Sequence, residues 1–225
     1  QPFDASVSGK FFDRYLDTLD PQHMHFLQSD LAYFDIYRTN LHLLTVTKRG
    51  VADVSPAFDI FNRFMTRLQQ RVHYAEELLK NENFTFETED RVALNRQELP
   101  YPKDMAEAEK LWSDRLRYEY LQERLGKLTA KKKPEKEPAT EAKAAAKAKS
   151  EAEEIITLLT NRYHRNLRAF KDFTNEDVLQ TYLTALAHVY DPHSDYLGQQ
   201  QLDQFAIGMK AGHVAATRMG RIVRD

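Results

Sequence analysis

Asp191, His193 and Ser194 are the three residue types of a hydrolase triad, and they lie within four positions of one another. Such a triad needs the base within hydrogen-bond reach of the nucleophile and a third group that orients the base. Neighbours in an extended turn point in different directions, and no Gly-x-Ser-x-Gly elbow surrounds Ser194. The sequence therefore favours a turn in which Asp191 or Ser194 accepts a backbone N–H and His193 packs or faces solvent. His23 and His25, close to Asp20 and Asp30, raise the question of a metal. Helical metal sites prefer His pairs at i, i+4, as in His-Glu-x-x-His, and that pattern is absent. Solvated loop histidines are the expectation. His42, His73, His164, His188 and His213 are spread along helical patterns as boundary residues.

Arg162, His164, Arg165 and Arg168 could form a basic face for an acidic partner or for phosphate. Glu151, Glu153 and Glu154 lie nearby, so a balanced, solvated helix face is the favoured reading. Gly208-Met209-Lys210-Ala211-Gly212 lacks the spacing and the Lys-Ser/Thr pair of a phosphate loop. With no cysteine, disulfides and thiolate metal sites are excluded. With 32 basic against 34 acidic residues, the chain has no basic excess for nucleic acid. No apolar run approaches the roughly 20 residues that span a bilayer. No residue is assigned to catalysis, cofactor binding or metal binding, and no cofactor is expected. Gln1 in place of Met suggests a trimmed mature form or an excised piece, from which any export signal would already be gone.

The elements that carry these residues read as helix after helix. The chain has 225 residues with 42% apolar content, and four of its seven glycines (Gly198, Gly208, Gly212, Gly220) fall near the end. Phe11, Phe12, Tyr15, Leu16 and Leu19 line a helix over 7–19, which Asp20-Pro21 ends. Leu31, Phe34, Tyr37, Leu41 and Leu44 keep helical spacing from about Asp30, with Ser29 or Asp30 as the cap and Gly50 as the end. Ser55-Pro56 opens a third helix with Phe58, Phe61, Met65, Leu68, Val72, Ala75 and Leu79 on one face. Phe84-Thr85-Phe86 alternates like a short strand, and Leu99-Pro100-Tyr101-Pro102 must be extended or turned, so 81–102 is expected to be a loop with at most one β-bridge. Asp104 and Glu107 form a capping box before Ala108, Leu111, Trp112, Leu116 and Leu121, with Gly126 as the terminal residue. The Lys/Glu/Ala/Pro segment 127–149 is a solvated linker or a frayed helix. Ser150 and Glu153 read as another capping box, before Ile156, Leu159, Tyr163, Leu167 and Phe170. Thr174 and Asp177 open a helix with Val178, Leu179, Tyr182, Leu183, Leu186 and Val189 inward, and Asp191-Pro192 stops it.

One turn design is used twice. Leu19-Asp20-Pro21 is followed by His23, Phe26-Leu27, Leu31 and Phe34. Tyr190-Asp191-Pro192 is followed by His193, Tyr196-Leu197, Leu202 and Phe205. The expected fold is all-α, an antiparallel multi-helix domain with one low-complexity linker. Residues 1–126 form a first helical subdomain, 150–205 a helix pair that ends in the Asp-Pro turn, and 206–225 a tail.

Several of these stretches, in order, resemble the helical N-terminal region of tail-specific proteases, the C-terminal processing peptidases. They are Phe11 to Asp20, Phe26 to Asp30, Leu111 to Glu119, Asn161-Arg162-Tyr163, Phe173 to Val178 and the Asp191-Pro192-His193-Ser194 turn. The resemblance covers about residues 10–205, with the Lys/Ala/Glu segment as an insertion. It implies a helical domain that flanks a PDZ domain and a protease domain with a Ser nucleophile and a Lys base. It also implies a periplasmic location, and protein substrates or an adaptor as partners. After Phe205 only 20 residues remain. They do not look like the start of a PDZ domain, and the Ser-Lys dyad has no position to match. A short helix over 211–223, with Val214, Met219 and Ile222 apolar, is expected there. The chain would then scaffold, gate or dock and be inactive alone. The alternative is a free-standing helical interaction module that binds a partner through a helix groove.

Overall fold

The computed structural model describes residues 2–46, 52–81, 84–86, 89, 91–130, 141–198, 201–203, 205 and 207, with backbone only at 130 and 141–150. Among the described residues the regular structure is helix, with no strand, so the fold is all-α. The helices are α1 (Ala5–Leu19), α2 (Gln28–Arg38), α3 (Leu41–Leu44), α4 (Ser55–Asn81), α5 (Met105–Ala130), α6 (Glu141–Lys171) and α7 (Asn175–Tyr190). The chain divides into two compact units, 1–18 with 38–58 and 173–225, and 19–37 with 59–172.

In the first unit the core is aromatic. Phe11 and Tyr15 of α1 meet Tyr182 of α7 with ring centroids 4.5 and 5.0 Å apart, and all three side chains are fully buried. Such ring pairs add roughly 0.5–1.5 kcal/mol to the gain from burial. The buried hydroxyls find partners, as they must. Tyr15 donates to the Ala57 carbonyl at 3.0 Å, and Tyr182 meets the Thr45 hydroxyl at 3.1 Å. Burial raises the pKa of both phenols, that of Tyr182 to about 12. The Asp4 carboxylate caps α1 by accepting the Val7 N–H at 3.0 Å. Thr174 and Asp177 form the expected capping box on α7.

In the second unit three long helices pack together, and their contacts fix their directions. Along α5 and α6, Lys127 meets Glu154, Glu123 meets Arg162 and Tyr163 meets Glu119, so these helices are antiparallel. Along α4 and α6, His164 meets Glu76, Arg71 stacks on Tyr163, and Phe170 meets Phe64, which is also antiparallel. The pairs Arg67–Met105 and Tyr74–Trp112 place α4 and α5 parallel. The loop between α4 and α5 therefore returns along the bundle. Buried Trp112 donates its indole N–H to the Met24 carbonyl at 2.5 Å and anchors a cluster with Leu27 and Ala108.

Four local expectations change. The helix from Asp30 does not continue to Leu44: α2 ends at Arg38, and α3 begins after a turn at Thr39 and Asn40. Ser8, buried on α1, accepts the His42 N–H at 2.9 Å and meets its Nδ1 at 3.0 Å, and Leu41 is fully buried. These contacts redirect the chain in spite of a continuous apolar period. Phe84-Thr85-Phe86 lies in a loop, as expected, but makes no β-bridge. Both rings stack on Tyr120, at 4.5 and 6.1 Å, and the Thr85 carbonyl accepts from Arg117. The alternation is real, but a side chain takes the place of a partner strand. Gly126 does not end α5, which runs on to Ala130. Ser150 lies within α6 rather than at its start, because the helix begins at Glu141. The expected helix end at Gly50 and the expected helix over 211–223 lie outside the described residues, as does 131–140.

Candidate functional site

The Asp191 turn joins the three triad residue types in the wrong order. Ser194 donates its hydroxyl to Asp191 Oδ2 at 2.7 Å. The His193 backbone N–H donates to Asp191 Oδ1 at 3.1 Å, and its Nδ1 lies 3.1 Å from the same atom. The carboxylate thus sits between the other two and engages both, whereas a triad needs the imidazole in the middle. The Ser194 hydroxyl bond, the His193 backbone N–H and its ring lower the Asp191 pKa. His193 is 89% exposed, so nothing shields it from water. These groups close a turn in which the Ser194 N–H meets the Asp191 carbonyl at 3.1 Å. Beyond it, Tyr196 exchanges backbone bonds with the Thr184 hydroxyl of α7, and His188 pairs with Asp195 at 3.0 Å. The turn ends α7 and lays 195–198 back along it.

The matching Asp-Pro turn at Asp20 has the same frame, with the His23 N–H on the Asp20 carbonyl at 3.0 Å. Its environment is opposite. Asp20 is 1% exposed and accepts the N–H groups of Met24, His25 and Phe26 at 2.9, 2.7 and 3.0 Å. His25 Nδ1 lies 3.0 Å from its Oδ1. Burial works against the charge of this carboxylate, but the His25 and backbone hydrogen bonds outweigh it and hold the pKa below the usual range. Arg71 lies 3.3 Å from His25 Nε2. An arginine only donates, so Nε2 accepts and the ring proton sits on Nδ1, toward Asp20. Burial pushes the His25 pKa down, against the pull of Asp20. The ring is therefore a neutral link between a carboxylate and a guanidinium.

His23 does not join it. Its ring stacks on Tyr101 at 3.9 Å and its Nδ1 lies 2.6 Å from the Leu99 carbonyl. Its φ of 50° places it in the left-handed region, where the turn demands it. The two histidines and Asp30 are thus directed to different tasks, and no metal-holding cluster occurs among the described residues. Asp30 is 2% exposed, forks to Arg67 at 2.7 and 2.9 Å, lies 3.3 Å from Arg63, and accepts the Leu27 N–H at 3.0 Å. It closes the start of α2 from inside the helix rather than from the cap position.

The α6 basic residues separate. Arg162 pairs with Glu123 and His164 with Glu76. Arg165 and Arg168 line an open groove of about 800 Å³ with Glu153, Glu154 and Leu158. Mixed charge along this face accords with a balanced helix surface. The polar residues not anticipated are Arg63, Arg67 and Arg71, at successive i, i+4 positions on α4. Their spacing beside the apolar stripe of Leu68 and Val72 was a usable signal, because arginines beside a buried stripe need buried partners.

Residues 1–200 match the family model described as the tail specific protease N-terminal domain. The chain belongs to that family. It is 31% identical over 202 residues to the tail-specific protease of Haemophilus influenzae, an alignment that takes in 90% of this chain and 25% of the relative. The chain thus spans about a quarter of the curated relative it matches. Among the described residues, no helix of this family member is long and apolar enough to cross a membrane.

Proposed function

We propose that the chain is the non-catalytic helical front of a periplasmic C-terminal processing protease with a Ser-Lys active site. In this role it holds the PDZ and protease parts and gates substrate or docks an adaptor. The supporting observation is that the match to a protease falls on its N-terminal domain family and on a quarter of the relative's length. The wiring of Asp191, His193 and Ser194 as a helix-ending turn accords with this, since each side chain already has a structural task. Tyr196, Leu197, Leu202, Phe205 and Ile207 are all exposed large apolar residues and supply a surface for such docking.

The test compares the chain alone with a longer gene product that carries the downstream domains. Only the longer form should cleave an unstructured protein with an apolar C-terminus. Cell fractionation of that product should place it in the periplasm. A free-standing interaction module, the alternative, would be supported by a native product that ends soon after Asp225.

A further inference from the structure

A cavity of about 320 Å³ opens between α4, α5 and α6 and is lined by Leu68, Arg71, Glu119, Arg162, Tyr163 and Asn166. That is near the lower end of ligand-pocket sizes, roughly 300–1,000 Å³. Three of the lining residues are charged, and two of these have ion-pair partners. Glu119 accepts from Arg115 at 3.0 Å, and Arg162 pairs with Glu123. Arg71 differs. Its partners are the neutral His25 ring and Tyr163, on whose face its guanidinium lies 5.6 Å from the centroid. Its Nε is buried with no acceptor. Arg71 is half-buried and shares the Tyr163 hydroxyl with Glu119, but it forms no direct ion pair among the described residues, and a donor left without an acceptor in a cavity wall is open to a ligand.

We infer that this cavity binds a singly charged carboxylate, with Arg71 as its counter-ion and Leu68 and the Tyr163 ring against the attached hydrocarbon. Arg71's planar donor fork suits a carboxylate or a phosphate. Glu119 in the wall decides between them, because it repels a doubly charged phosphate more than a monoanion. One ligand charge neutralises Arg71, and the Asn166 amide supplies a neutral donor. The carboxylate comes from an acidic peptide side chain or from a chain terminus. This inference stands apart from the protease reading, since it uses only the charges of the three-helix unit.

The test titrates the 225-residue chain with three acetylated tripeptides while following arginine Nε–H resonances by NMR. One probe has a free Gly terminus, one is an amide with a central Glu, and one is an amide with a central Gln. Saturable shifts of one arginine resonance are expected with the first or second probe and none with the third. The stronger of the first two tells a terminus from a side chain. Arg71→Gln should weaken binding at least tenfold, and Glu119→Gln should tighten it several-fold. Inorganic phosphate should bind more weakly than either carboxylate. The inference is overturned by no saturation at tens of millimolar, by equal binding of the Gln amide, by tighter binding of phosphate, or by unchanged affinity in Arg71→Gln. Should Arg71→Gln fail to fold, Glu119→Gln decides, and equal or weaker binding there overturns it.

Discussion

Asp30 is the residue on which the second unit's polar interior turns. It is 2% exposed and takes a forked bond from Arg67. Removing one partner of such a pair strands the other, which typically costs about 3–5 kcal/mol. Asp30→Ala should therefore lower the urea midpoint sharply, whereas Asp13→Ala, from an exposed pair with Arg38, should cost less than about 1 kcal/mol and barely move it. The Asp20–His25 pair sets the pH dependence of folding. His25 is held neutral with a lowered pKa, so below about pH 6.5 the unfolded chain takes up a proton that the folded one refuses. Asp20, also lowered, withdraws its contribution further down, as pH falls below about 4 toward its folded value. Both make stability fall on acidification. Denaturation series from pH 7 to 5 should show that slope, and His25→Gln should flatten it.

At the scale of elements, the helix stripes were largely legible. The α1 stripe is buried at every named position, Phe11, Phe12, Tyr15, Leu16 and Leu19. On α4 the stripe was right in period but shifted at its start: Ile60 and Phe64 are buried where Phe58 and Met65 are half-exposed. A 27-residue helix drifts around its axis, so neighbouring rows share the burial. The α2–α3 break was illegible because its cause, the Ser8–His42 contact, joins residues 34 apart. The arginine ridge had a readable i, i+4 spacing, but the acidic partner of Arg63 and Arg67, Asp30, lies on another element, so the pairing itself was not legible. Caps are local and were read more easily. Thr174→Ala should cost about 1 kcal/mol through the capping box of α7, measured as a shift in thermal midpoint. Buried Gly198 is a contrary case. An added Cβ would lie 2.6 Å from Glu176 Oε1, the mobile end of an exposed side chain. Gly198→Ala should therefore change the midpoint by less than a loss of the Thr174 cap does.

For the molecule as a whole, the two Asp-Pro turns show how one sequence device serves two purposes. At Asp20 it is buried and anchors a polar chain through His25 to Arg71, and at Asp191 it is exposed and ends a helix. Neither turn presents an activated nucleophile, since the Ser194 hydroxyl donates to a carboxylate and not to an imidazole. The central claim is that this polypeptide supports a protease's working parts from outside the reaction. The most direct measurement is intact-mass analysis of an unstructured protein with an apolar C-terminus after incubation with the 225-residue chain and with its Ser194→Ala variant. The account predicts an uncut substrate in both. Turnover by the unaltered chain that Ser194→Ala abolishes would contradict it.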